Sequence, residues 1–170
     1  QAPAVVTPQE TAARRAALAA RLDSGVVIAF GGRALVHDFS TFYQLPAFRY
    51  LTELNEPDAA LVMVVRNKRA QSTLFLTALD ARTAFYYGER VDSASSLTSH
   101  GMPGRSASAL PAYLDSLAAT GLPFFHIPDV ETMDFARNDT LTRGQEALKG
   151  LARKFPRLAV RNGMPYVLQL

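Results

Sequence analysis

The sequence predicts an α/β domain in which helices flank a central mixed sheet, and three observations carry that prediction. An alanine-rich helical stretch leads at once into Val26-Val27-Ile28-Ala29-Phe30, an unbroken apolar run stopped by Gly31-Gly32. Such a run marks a strand covered on both faces rather than a half-exposed one. Leu61 to Val65 and Ser72 to Thr77 repeat the strand pattern on either side of a basic turn, which adds an antiparallel pair. Finally, Leu110, Tyr113, Leu114, Leu117 and Ala118 fall on one helical stripe.

Local signals define the elements in order. Thr7 caps the first helix, Pro8 suits its first position and Glu10 completes a capping box; the helix runs to about Asp23 and Gly25 ends it. After the buried strand comes "YLTELNEPDAAL", residues 50–61, an acidic stretch stopped by proline. Pro57 cannot donate a backbone hydrogen bond and restrains Glu56 to extended geometry, so the chain must turn there before the Ala60 to Val65 strand. Arg66-Asn67-Lys68-Arg69 is the tip of the next hairpin. "DSASSLTSHGMPGRS", residues 92–106, has no apolar period and reads as a long surface loop.

The helix from Leu110 has Pro111 near its start and Gly121 past its end. Leu122 to Ile127 holds another short strand, and "PDVETMDFARND" forms a second loop. Thr142 with Gln145 makes a capping box for a helix whose Leu148, Leu151, Ala152 and Phe155 share a face. Asn162-Gly163 then predicts a hairpin between Leu158 to Arg161 and Tyr166 to Leu170. A chain that stops inside a strand pattern suggests the front part of a longer polypeptide.

Composition narrows the function. With 170 residues, 48% of them hydrophobic and 19% charged, the chain can bury one ordinary core. Eighteen basic against fifteen acidic residues give a net charge of +3, and the one dense basic cluster is a hairpin tip, so no nucleic-acid face is indicated. The absence of cysteine removes disulfides and thiolate chemistry together. No apolar run approaches the roughly eighteen residues of a membrane span. The N-terminus, Gln1 to Val6, has no intact signal peptide; a mature end left after export and a chosen boundary fit it equally, leaving cytoplasmic and exported locations both open.

A search for reactive groups finds little. Gly104-Arg105-Ser106-Ala107-Ser108 lacks the second glycine of a serine-hydrolase elbow and reads as a turn. No phosphate or dinucleotide loop is present. His37, His100 and His126 have no partners at zinc-site spacing, and His126, between Phe125 and Ile127, reads as a core or interface histidine. Asp129, Glu131 and Asp134 are the densest carboxylates, better suited to capping or solvent than to acid-base work. The residues alone name no catalytic or metal site.

A family resemblance goes further. "FYQLPAFRYLTELNEPDAALVMV" is similar to the hallmark of the N-terminal domain of Xaa-Pro aminopeptidases (aminopeptidase P), within the creatinase and prolidase group. Phe42, Gln44, Phe48, Tyr50, Leu51, Thr52, Asn55, Glu56, Pro57 and Asp58 carry the match, and Arg14-Arg15 and the strand to Phe30 extend it. Tyr43 stands where the family often has Arg, Leu45-Pro46-Ala47 replace polar residues, and Glu53 replaces a Gly.

The resemblance implies a single domain over residues 1–170, of the three-layer creatinase N-terminal type with a ribonuclease H-like motif. It implies that the chemistry belongs to a separate C-terminal pita-bread domain, absent here, whose two Asp, one His and two Glu hold a dinuclear divalent metal centre, manganese or similar. This chain would then hold no cofactor, would be inactive alone, and would have the catalytic domain, further copies of itself and a peptide substrate as partners. Tyr43, Gln44, Tyr50 and Glu56 are the candidate substrate-rim or interface residues. A stand-alone peptide- or protein-interaction module of the same fold is the alternative reading.

Overall fold

The computed structural model describes residues 5–33, 42–78, 84–85, 88, 90–128 and 143–170. Its helices are α1 (Pro8–Leu22), α2 (Pro46–Thr52), α3 (Ser96–His100), α4 (Leu110–Ala118), α5 (Arg143–Lys154) and α6 (Met164–Val167). Its strands are β1 (Gly25–Phe30), β2 (Ala60–Arg66), β3 (Arg69–Leu76), β4 (Gly104–Ser106), β5 (Phe124–Ile127) and β6 (Val160–Asn162).

The predicted cap on α1 is formed. Thr7 Oγ1 accepts from the Glu10 N–H at 3.3 Å and the Glu10 carboxylate accepts from the Thr7 N–H at 2.6 Å, so two otherwise orphaned donors are satisfied. The β2–β3 hairpin turns at Asn67 and Lys68, both with positive φ (49° and 62°), as a two-residue turn matched to strand twist requires. The basic cluster is therefore a solvated hairpin tip.

The six strands lie in the order β4-β3-β2-β1-β5-β6. Only β2 runs against its neighbours; β3 with β4, β1 with β5 and β5 with β6 are parallel. Central β1 is buried at every position, as its unbroken apolar run predicts. Alternation then divides the core into two layers. Val27, Ala29, Leu61, Met63, Val65, Leu74 and Leu76 face one side, covered by Leu18 and Leu22 of α1, Phe48 and Leu51 of α2, and Val167 of α6. Val26, Ile28, Phe30, Ala60, Val62, Phe75 and Phe124 face the other, under Leu110, Leu114 and Leu117 of α4 and Leu151 of α5. Each Val, Leu, Ile, Phe or Met side chain among them, fully buried, contributes about 1.5–3 kcal/mol. Helices, mixed sheet and helices form the three expected layers.

Four expectations need correction. Residues 92–106 are not one irregular loop: they hold α3 and β4, anchored by buried Ser96 and Met102, with Ser96 Oγ donating to the Met102 carbonyl at 3.1 Å. Gly104-Arg105-Ser106 is accordingly an edge strand in register with Leu74 to Leu76, not a turn. Asn162-Gly163 does not close a hairpin. Asn162 Oδ1 accepts from the Met164 N–H at 2.9 Å, the Gly163 N–H bonds the His126 carbonyl at 2.7 Å, and the chain enters α6 with Pro165 in its first turn. On α5 the buried stripe runs through Gly144, Ala147, Leu148 and Leu151 toward Phe155, while Ala152 is exposed. Thr142 lies outside the described residues.

Candidate functional site

The turn that carries the family resemblance is assembled around the end of β1. Past Phe30, the Gly31 N–H bonds the Ala59 carbonyl at 2.9 Å and the Asp58 N–H bonds the Gly32 carbonyl at 2.8 Å, so pairing continues beyond the strands. Gln44 locks this junction. Its Oε1 accepts from the Gly32 N–H at 2.7 Å and from the Leu45 N–H at 2.9 Å, and its Nε2 donates to the Glu56 carbonyl at 2.9 Å. A Cβ on Gly31 would lie 3.1 Å from both terminal atoms of Gln44, so a larger residue there would have to push the Gln44 amide back by a few tenths of an ångström. The Glu56 carboxylate reaches onward, accepting from the Val91 N–H at 3.1 Å and meeting Arg90 Nε at 3.5 Å.

Between these anchors lies α2, an element with no clear signal of its own in the sequence. Leu45 precedes it, Pro46 sits in its first turn, and Glu53 ends it in left-handed geometry, φ 53°, with its N–H on the Arg49 carbonyl. The last carbonyls of a helix have no partner within it. Here α1 supplies two: Arg14 Nη1 donates to the Tyr50 carbonyl at 2.9 Å and Arg15 Nη1 to the Leu51 carbonyl at 2.8 Å. The Arg14 guanidinium also stacks 4.4 Å above the Tyr50 ring. Arg15 is only 4% exposed, and burial draws its pKa down to about 10, which still leaves it charged at neutral pH. Pro57 and Asp58 then form the turn that the proline predicts, and Ala59 leads into β2.

The four candidate residues are thus not one cluster. Gln44, 8% exposed, and Glu56 are joined and hold backbone. Tyr50, half-buried, belongs to the seam between α1 and α2. Tyr43, 69% exposed, presents its ring to solvent. Among the other groups singled out, His126 is half-buried, edge-on to Phe30, with a pKa lowered by burial. His100 ends α3, its Nδ1 2.8 Å from Ser99 Oγ, and burial lowers its pKa too. His37, Asp129, Glu131 and Asp134 lie outside the described residues. Among the described residues no cluster of His, Asp or Glu could hold a metal ion.

The family model described as "Aminopeptidase P, N-terminal domain" matches residues 11–121, from α1 past α4. The chain belongs to the aminopeptidase P N-terminal domain family. No curated protein sequence matches it. Among solved structures, a protein from Bacillus anthracis assigned as an aminopeptidase P superposes with a TM-score of 0.81 at 17% identity, over 96% of this chain and 40% of that one. Aminopeptidase P from E. coli with the inhibitor Pro-Leu gives 0.77 at 22% identity, over 96% and 38%. The Zn-substituted E. coli enzyme in complex with product gives 0.76 at 21%, over the same shares. At these identities the likeness establishes the fold. This aminopeptidase P N-terminal domain spans about two fifths of the length of the enzymes it resembles.

Proposed function

We propose that this chain is the non-catalytic N-terminal domain of a Xaa-Pro aminopeptidase-like metallopeptidase, contributing to oligomerisation and to substrate access. The observation that supports this is the lopsided overlap, which uses nearly all of this chain and about two fifths of each enzyme. The parent enzyme would hydrolyse the bond between an N-terminal residue and a following proline. A dinuclear divalent centre in its catalytic domain would supply the activated hydroxide. The described residues of this chain do not make that site, and their part is positional: Gln44 and Glu56 fix the turn after β1, and the exposed Tyr43 ring beside Gln44 is the group best placed to meet a partner surface or a peptide. Purified chain supplied with manganese or zinc is expected to leave Xaa-Pro peptides intact. Turnover by the chain unaided would overturn the proposal.

A further inference from the structure

β3 is longer than the strand beside it. It pairs with β2 from Arg69 to Phe75, yet with β4 only at Leu74, Phe75 and Leu76. The Leu74 N–H bonds the Pro103 carbonyl at 3.0 Å, and Pro103, having no N–H, cannot carry the ladder further back. Since the Leu74 N–H points toward β4, strand alternation turns the N–H and C=O groups of Ala70 and Ser72 the same way. Among the described residues no strand pairs with them on that side.

This open edge borders a groove of about 630 Å³ between β3, α1 and the Gly101 to Pro103 turn. Ala12 and Ala16 leave it room on the α1 side. Lys68 and Arg69 stand at one end, and Arg15, whose guanidinium already holds the Leu51 carbonyl, adds positive charge from behind. No Asp or Glu is among the lining residues.

We propose that this groove receives an extended acidic peptide segment of another protein, added to the sheet as a strand beside the first half of β3. Main-chain pairing with Ala70 and Ser72 would provide the register, and carboxylates meeting Lys68 and Arg69 the choice of partner. Charge argues against a second copy of the chain as the occupant, because its net charge is +3 and cations on a strand edge discourage pairing of like with like. Such a docking edge goes beyond the proposed function, since it lies along the first half of β3 rather than at the Gln44–Glu56 junction past the end of β1, and needs no catalytic domain.

The test is a titration of ¹⁵N-labelled chain with an alternating Glu-Val hexapeptide, beside its Lys-Val counterpart. The Glu-Val peptide is expected to shift the Ala70 and Ser72 amides saturably by about 1 mM, and the Lys-Val peptide to leave them in place. Reversing Lys68 and Arg69 to Glu should weaken binding by about tenfold or more. Ser72→Pro, which removes an outward N–H that an edge strand can spare, should abolish it while the remaining amide spectrum stays folded. Unmoved Ala70 and Ser72 amides, an equal response to the Lys-Val peptide, or shifts at the same amides on concentrating the chain alone would each overturn the proposal; the last would hand the groove to a second copy.

Discussion

Glu53 shows how a single departure from a family pattern acquires a physical meaning. The resemblance puts Gly at this position, and here Glu53 ends α2 in left-handed geometry, φ 53° and ψ 14°. A side chain in that region is strained by about 1 kcal/mol or a little more. Its ion pair with Arg49, at 3.1 Å on the surface, returns little. Glu53→Gly is therefore expected to raise stability by about 0.5–1 kcal/mol in urea unfolding, less whatever the freer glycine costs the folded state. Gln44 points the other way. Gln44→Leu keeps the volume but strands the Gly32 and Leu45 donors and the Glu56 carbonyl. Leaving buried groups unpaired should cost about 1–3 kcal/mol, read as a lower urea midpoint with an unchanged slope. An unchanged midpoint would mean that water replaces the amide without loss.

Among the elements, those with strong local signals were legible in the sequence and those defined by tertiary contact were not. The cap of α1, the continuous run of β1, the β2–β3 hairpin and the stripe of α4 each carry their own pattern, and each is where the pattern puts it. α2 is too short for a helical period to show, and its C-terminal end is secured by residues 36 positions away in α1. α3 and β4 hide in a Ser-rich stretch because their anchors are one serine hydroxyl and one methionine. Asn162-Gly163 misleads since the neighbour available to Val160–Asn162 is parallel β5, and the Asn side chain caps the start of α6. Of the candidate site, the turn at Pro57 was legible, whereas the division of labour between buried Gln44 and exposed Tyr43 depends on packing.

Gly104 offers a test at the same scale. A Cβ there would lie 2.6 Å from Ser93 Cα and 2.8 Å from the Ser93 carbonyl oxygen, which are backbone atoms that cannot simply rotate away. Gly104→Ala should cost about 1–3 kcal/mol and speed amide exchange in β4 before the rest of the sheet. Uniform exchange across the sheet would contradict a local collision.

At the scale of the whole molecule, the domain has two apolar faces already covered and a set of connections at the end of β1 that hold one another. That arrangement suits a body which lends a rigid edge to something else. Tyr43→Ala should change the stability of the chain by no more than about 0.5 kcal/mol, because the ring is exposed. In the proposed parent enzyme the same change is expected to raise KM for Xaa-Pro peptides or loosen the oligomer. If neither moves, Tyr43 has no part in substrate access. The arginine pair of α1 has a further effect. Since α2 is seven residues long and has its terminal carbonyls held by a different segment, it can persist only while α1 stays docked. The two helices are thereby a single melting unit, and any event that peels the N-terminal helix away would also release the turn leading to Gln44's partner, a mechanical linkage between the start of the chain and the far lip of its sheet.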